Sequence, residues 1–591
     1  MDKDTLLRYD GLLGFPTSSY QYDIFDFVEH KQGNAVISAY AGCGKTSSLV
    51  TAMKLVPQKK KCVFVAFNNS IVDVLSEKIA NYPNCKATTI HKLGLQICYD
   101  NLGNDIEIDE YKYRTYLKRN INDLSTIEDG TKLSRKDFNQ YLDNITELIR
   151  FCQVNLAQSK REIAKIAEKY NITPLFDEIS VTKKCLNWGK THTNVIDLTD
   201  MIWLPSELNM ANKKHKYDWI FGDEVQDYSI AYIELLNKCK KRGARTLYVG
   251  DKNQAINSFA GSSEEAFDKM LNAPNTTVFQ LPVSYRCPVK VVELARKFVP
   301  DLQYADGAID GTISELSHIG EMKDGDLVIC RSRAPLFQLY YKLLKRHVHA
   351  HIEGSDAEAE KMINIVNSSS EEMLNQTLLG KGVFSDLYTK LFEVRDRVMS
   401  INGLDLEDAT LSNSVIQMYD TINSLSVIAE GLTTKKQLIE QIEKIFSSEK
   451  KGVNLSTIHK AKGGEADNVY ILCYSSMPSS LAKKPWEIQQ EQNLIYVALT
   501  RAKKKLGFVS ETEIKPYGVL LTKDIILSEL ATYENMVCSI NGTQPKSDVA
   551  EPQMARFKLK GSTKVEKIKL MSNSSTIGSK RKKKGLSDLL N

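Results

Sequence analysis

The sequence predicts an α/β protein with two parallel-sheet cores, each interrupted by a mainly helical insertion. Apolar, β-rich runs alternate with helical patterns to about residue 100, a charged helical texture follows to about 195, and the β pattern then resumes. The succession recurs further on, where strand-like runs at 326–330 and 468–473 flank helical stretches between about 356 and 448. Short continuous apolar runs separated by helices are the texture of a parallel sheet covered on both faces. An insertion splitting one α/β core explains each interruption better than a separate domain between two others.

In chain order, 36–39 and 62–67 read as buried strands and Thr46–Lys54 as the helix between them. The segment Ser159–Lys169 is a charged amphipathic helix of the first insertion, and 218–222 and 246–250 return to strand. In the second core 326–330 and 468–473 are strands, and 435–446 is a helix of the second insertion. The expected organisation is a first core over 1–100 plus 196–283 with its insertion at 101–195. A second core follows over 284–355 plus 449–535, with its insertion at 356–448. A basic tail occupies 536–591.

At 591 residues the chain exceeds one ordinary hydrophobic core, and 42% hydrophobic with 26% charged residues is the composition of a soluble globular protein. No apolar run approaches the roughly 18 residues that span a bilayer, and the N-terminus lacks a signal-peptide pattern. A cytosol-like compartment without membrane association is therefore expected. The eleven cysteines are scattered without a CxxC pair, which points to reduced, mostly buried thiols rather than a zinc or iron–sulfur site. A net charge of +5 neither requires nor excludes nucleic acid, so a polyanionic partner has to meet a local basic groove. The Lys-, Ser- and Gly-rich tail, with its Lys580–Lys584 run, cannot bury a core and is expected to be disordered. It reads equally as a solvated tail, a nucleic-acid tether, a nuclear import signal or a partner-binding peptide through Leu586, Leu589 and Leu590.

Chemistry concentrates in two places. In Ala39–Thr46 the small residues Ala41, Gly42, Cys43 and Gly44 let backbone N–H groups turn inward around phosphate oxygens at a positive helix start. Lys45 brings a point charge to the outer phosphates and the Thr46 hydroxyl a ligand for Mg²⁺. The run Ile220–Asp227 ends in adjacent carboxylates, of which Asp223 suits magnesium and Glu224 suits proton removal from an attacking water. Further on come Tyr248–Gly261 with Gln254, then Ser284-Tyr285-Arg286, Leu455–Glu465 and Tyr496–Lys503 with Arg501. Two arginines from a second sheet suit a terminal phosphate lying between the cores, because the guanidinium fork matches phosphate oxygens.

With these motifs in order from about 14 to 510, the chain resembles superfamily 1 helicases of the UvrD/Rep/PcrA-like group. It looks closer to their F-box-helicase-like relatives, with no F-box evident at the N-terminus. The resemblance implies two RecA-like domains, ATP and Mg²⁺ as cofactors, and 3′-to-5′ movement on single-stranded DNA with duplex unwinding, in replication, repair or recombination. Residue by residue, Gln21 matches the glutamine that reads adenine, Tyr285 the aromatic that stacks on it, and Arg286 and Arg501 the γ-phosphate arginines. Gln254 matches the γ-phosphate sensor and Glu465, after Gly463, the carboxylate near the ribose or phosphates. Ser47 departs from the family, where an arginine helps pack the base.

For the nucleic-acid track the resemblance points to Phe67 and Asn69, Thr89 and His91, the base-stacking Phe259, and Thr457 and His459. Stacking faces beside a basic groove grip single strands without reading sequence. Asn257 and Ala260 stand where relatives carry an aromatic and an arginine. The expected partners are single-stranded and tailed duplex DNA, bound by a monomer in the cytoplasm, nucleoid or nucleus according to the source. Two rivals remain: a translocase that strips proteins but unwinds poorly, and a non-catalytic factor that uses ATP only as a clamp. No fused nuclease is expected, since little but the tail follows residue 535.

Overall fold

The computed structural model describes residues 3–66, 69–124, 135–170, 172, 174, 177–256, 264–354, 356–367, 377–378, 381–382, 385–402, 405–432, 434–447, 451–482, 484–509, 513, 523–541 and 544. In its first half, β1 (Asn34–Ala39), β2 (Cys62–Ala66), β3 (Cys85–Thr89), β4 (Tyr217–Gly222), β5 (Lys240–Gly250) and β6 (Thr276–Leu281) form one sheet in the order β3-β2-β4-β5-β1-β6. Every pairing is parallel. The central strands are apolar because both faces are covered: Ile37, Phe64, Phe221 and Val249 pack on one side, Val36, Val65, Ile220 and Tyr248 on the other.

The second half repeats the plan. Strands β7 (Thr312–Ser317), β8 (Leu327–Cys330), β9 (Ala350–Ile352), β10 (Val453–Thr457), β11 (Ala466–Leu472) and β12 (Ala502–Val509) lie in the order β7-β12-β11-β8-β10-β9, again all parallel. The expected α/β class with two parallel-sheet cores is what the structure has. In a parallel α/β sheet, ligands bind in the crevice beyond the carboxyl ends of the strands. The motif residues sit at that end of both sheets.

Between β3 and β4 the chain runs through helices that include Lys112–Leu124, Arg135–Asn155, Lys160–Lys169 and Glu178–Thr191. They bury a core of their own, with Tyr141, Ile145, Leu148, Cys152 and Cys185 at its centre. Helix Lys160–Lys169 starts where the sequence indicates, because Ser159 and Glu162 form a reciprocal capping box. A buried ion pair, Lys112 Nζ to Asp200 Oδ2 at 2.6 Å, ties this bundle to helix Asp200–Glu207. Between β9 and β10 lie helices that include Asp356–Asn367, Ser385–Asn402, Asn413–Ile428 and Lys435–Ser447. Their apolar faces (Leu391, Tyr419, Leu438, Ile442) share one core with Val328 and Leu455 of the second sheet.

One expectation is corrected. Helix Lys523–Asn541 runs past residue 535, so the tail does not begin at 536. It is held there by Tyr533 stacked on Tyr388, by Arg395 donating to Glu534 at 2.5 and 2.8 Å, and by burial of Val537. The basic run and Leu586, Leu589 and Leu590 lie outside the described residues, as do Phe67, Asn257, Phe259 and Ala260. Among the described residues no helix is long and apolar enough to cross a membrane, and nine of the eleven cysteines are buried thiols.

Candidate functional site in the cleft between the sheets

The loop after β1 turns on Gly42 (φ +72°) and Gly44 (φ +78°), and helix Lys45–Lys54 starts directly behind it. Gly42 is required twice over, since a Cβ there would meet Arg286 Cβ at 2.6 Å and Ser284 Oγ at 2.7 Å. Cys43 is buried, which pushes its thiol up to about 12, and Ala41 N–H donates to the Tyr496 hydroxyl at 3.0 Å. The loop is thus fixed by the second sheet as well as by the first. Ser47 lies half-buried in the first helical turn.

At the end of β4, Asp223 accepts from Thr46 Oγ1 at 2.6 Å, and Lys45 Nζ stands 3.4 Å from Glu224. Glu224 has φ +51°, an unusual conformation for a residue with a side chain. It costs on the order of 1–3 kcal/mol and aims the carboxylate into the cleft rather than along the strand. Burial, with the neighbouring Glu224 charge, pushes Asp223 up to about 6. Burial would raise Glu224 too, but the charges of Lys45 and Lys462 and a 2.5 Å hydrogen bond from Gln226 outweigh it and hold the carboxyl at about 2. Two adjacent carboxyls are therefore driven apart, one toward neutrality and one firmly ionised.

From β5, Gln254 donates to Asp251 at 2.6 Å and its Oε1 accepts from Arg501 at 3.3 Å. Arg501 is 1% exposed and also donates to Val497 O and Gly464 O. Burial and the nearby Arg286 charge lower it to about 10, so it stays cationic at neutral pH. Arg286 reaches Glu465 at 2.5 Å, and Lys503 holds the other Glu465 oxygen at 2.6 Å. Gly463 (φ +87°) makes the turn before that carboxylate. Tyr285 N–H donates to Gly42 O at 2.9 Å while its ring stays 51% exposed beside the loop. Gln21 is buried, closes a capping box with Ser18, and donates to Ser48 at 3.0 Å on the helix behind the loop. The structure thus gathers Gln21, the loop, Asp223, Glu224, Gln254, Tyr285, Arg286, Gly463, Glu465 and Arg501 around one cleft.

The described residues assigned to the strand track make other contacts. Thr89 ends β3 and caps the next helix by accepting from Lys92 N–H at 3.2 Å. Thr457 ends β10 and accepts from Lys460 N–H at 3.4 Å. His91 meets Tyr232 edge-on, and Asn69 is exposed at the start of helix Asn69–Lys78. Burial, then the Arg331 charge, lowers His459 to about 4. Beside Thr457, Lys460 and Arg333 both pair with Glu358 of the second insertion.

Several participants were missed from sequence. Lys462 donates to Asp227 at 2.6 Å and to Gln254 O at 2.7 Å, and Asn493 donates to Ala255 O at 2.9 Å. All three bonds cross between the sheets, so no local pattern announces them. Thr89 and Thr457, both named from sequence, also share a local signal. The tetrapeptide Thr-Ile-His-Lys occurs at 89–92 and again at 457–460, each time just after a parallel strand.

The class defined by this fold and cleft is a two-sheet α/β protein with a glycine-turned loop, a carboxylate pair and two arginines facing one another. A family model described as "UvrD-like helicase C-terminal domain" matches residues 67–513, and the chain belongs to that family. F-box DNA helicase protein 1 of Schizosaccharomyces pombe is 26% identical over 519 residues, covering 82% of this chain and 56% of that protein. ATP-dependent DNA helicase Rep of Escherichia coli is 21% identical over 620 residues, covering 84% and 91%. ATP-dependent DNA helicase PcrA of Leuconostoc citreum is 24% identical over 304 residues, covering 46% and 38%. For most of the relatives it matches, this chain spans about half their length.

Proposed function

We propose that this chain is an ATP-dependent DNA helicase or translocase, with ATP hydrolysed in the cleft and a single strand gripped across both sheets. The observation that carries the reading is the cross-cleft arrangement: Lys45, Asp223, Glu224 and Gln254 face Arg286 and Arg501 from the opposite sheet. The relatives' names, DNA helicases all, support it. The finer proposals are 3′-to-5′ movement, a role in replication, repair or recombination, and two RecA-like domains divided at the boundaries read from sequence, save for the helix to 541.

In this reading the loop N–H groups and Lys45 hold the phosphates, and Glu224, ionised and tilted into the cleft, takes the proton of the attacking water. Arg286 and Arg501 neutralise charge that develops on the terminal phosphate. Tyr285 offers its exposed face to the base and Gln21 an amide to the adenine edge. A half-buried hydroxyl and a buried carboxylate 2.6 Å apart, Thr46 and Asp223, are a donor pair that suits Mg²⁺, which commonly takes one or two protein oxygens with substrate phosphate and water. The ion would supply positive charge to the phosphate oxygens. Because donors to one ligand come from two sheets, binding favours the closed cleft and loss of the terminal phosphate releases it. Thr89 and His91 on one sheet, with Thr457 and His459 on the other, would then alternate their hold on the strand.

Lys45→Ala in the full chain tests the reading. Hydrolysis stimulated by single-stranded DNA should fall by about 10²–10³, the usual scale for a lost charge-stabilising donor. Hydrolysis that survives unchanged rejects it. Retained cellular function despite lost hydrolysis favours the clamp alternative.

A further inference from the structure

On the first sheet, the end opposite the cleft is strongly basic. Strands β4 and β5 begin there with Tyr217 and Lys240, about 20 Å from Asp223 at roughly 3.3 Å per residue. The register between them slips, from Tyr217 opposite Lys240 to Trp219 opposite Arg245, so Lys241, Arg242 and Gly243 (φ +73°) bulge outward. A shallow depression there is lined by Lys213, Lys216, Lys240, Lys241 and Arg242 alone. Asp218 accounts for two neighbouring cations, meeting Lys241 at 2.6 Å and Lys60 at 3.7 Å. Among the described residues no ion pair is made by Lys213, Lys240 or Arg242. Burial, then the charges of Lys241 and Lys86, push the neighbouring Lys61 below the usual lysine range.

A chain with a net charge of only +5 has gathered five cations around this one depression. The lining chemistry narrows the ligand. Its lack of an aromatic removes the stacking surface that single strands require. Nor is there an apolar residue to centre a protein interface, where buried aromatic and aliphatic anchors carry the energy. What remains is a regular array of phosphates.

We propose that this surface is a second nucleic-acid site, which holds the phosphate backbone of duplex DNA away from the single-strand track. The proposal rests on the DNA reading above and adds to it a contact that needs neither ATP nor a free single strand. With both sites occupied, the first sheet would be anchored to duplex while the cleft opens and closes.

The test compares the full chain with its Lys213→Ala, Lys240→Ala, Arg242→Ala triple variant on a blunt duplex, across a salt series. Each phosphate contact contributes about 0.9 to the slope of log affinity against log salt. Removing three cations should weaken duplex binding at least about tenfold and flatten the slope by about 2–3. Thermal unfolding and hydrolysis stimulated by a short single strand should stay unchanged. Unaltered duplex affinity and slope would overturn the proposal. So would loss of polyglutamate binding with duplex binding intact, which would assign the surface to an acidic protein. Failure of the motor reading shows separately, as absence of single-strand stimulation in the unmodified chain.

Discussion

The Arg501 Nη2 of the second sheet lies 3.3 Å from Gln254 Oε1 of the first, so the two halves touch through the groups proposed to sense a terminal phosphate. Arg501 is also held by Val497 O at 2.9 Å and Gly464 O at 3.2 Å, which leaves its fork little freedom. Arg501→Ala should lower kcat for hydrolysis by about 10²–10³ with a smaller effect on KM. Arg501→Lys should not restore it, because a lysine ammonium cannot span the same fork. Steady-state kinetics in the presence of single-stranded DNA check both variants, and an unchanged kcat in the alanine variant contradicts this role.

Lys462 offers a separate test of coupling between the sheets. Its ammonium bridges Asp227 and the Gln254 carbonyl, and its charge ranks after that of Lys45 in keeping Glu224 ionised. Lys462→Met should impair stimulation by DNA more than basal hydrolysis. Equal loss of both activities would make Lys462 part of the hydrolytic chemistry instead.

The first insertion carries a stability prediction. Asp200 is fully buried and accepts from Lys112, from Tyr113 at 2.8 Å and from Gln153 at 2.7 Å. Asp200→Ala would strand the Lys112 ammonium in the core, a loss of about 3–5 kcal/mol for this unit. Urea unfolding followed by tryptophan fluorescence can measure it, because Trp188 and Trp203 belong to the same cluster. A shift below about 1 kcal/mol would show that the network relaxes around the gap.

His459 sets a pH dependence. Its folded value of about 4 lies below the unfolded value near 6.5, so the unfolded chain binds more protons between the two. Stability should thus fall as pH drops from about 6.5 toward 4. Since part of the ring remains in water, the loss should be about 1–2 kcal/mol rather than the full shift. His459→Gln should flatten that part of the curve; an identical curve would mean that other groups control it.

Much of this was legible in the sequence, for definite physical reasons. Strands β1, β4, β8 and β11 are buried on both faces and announce themselves as apolar runs, and Lys45, Asp223 and Glu224 follow such runs directly. Strands β6 and β7 escaped because they lie at sheet edges, where Thr276–Leu281 and Thr312–Ser317 keep polar, exposed positions. Strand β5 begins six residues before the run at 246–250, since its first part is the basic bulge. The bonds from Lys462, Asn493 and Tyr496 join residues more than 200 positions apart, and only the folded cleft brings them together. The start of the tail was set too early because Tyr533 and Val537 pack on the second insertion, a partner that composition does not reveal.

The most direct test is strand separation by the full chain on duplexes carrying a 3′ or a 5′ single-stranded tail, with and without ATP. The account predicts separation of the 3′-tailed duplex only, only with ATP, and none by Lys45→Ala. Activity confined to the 5′-tailed duplex would contradict the polarity. No ATP-dependent separation or DNA-stimulated hydrolysis with either substrate would contradict the motor itself.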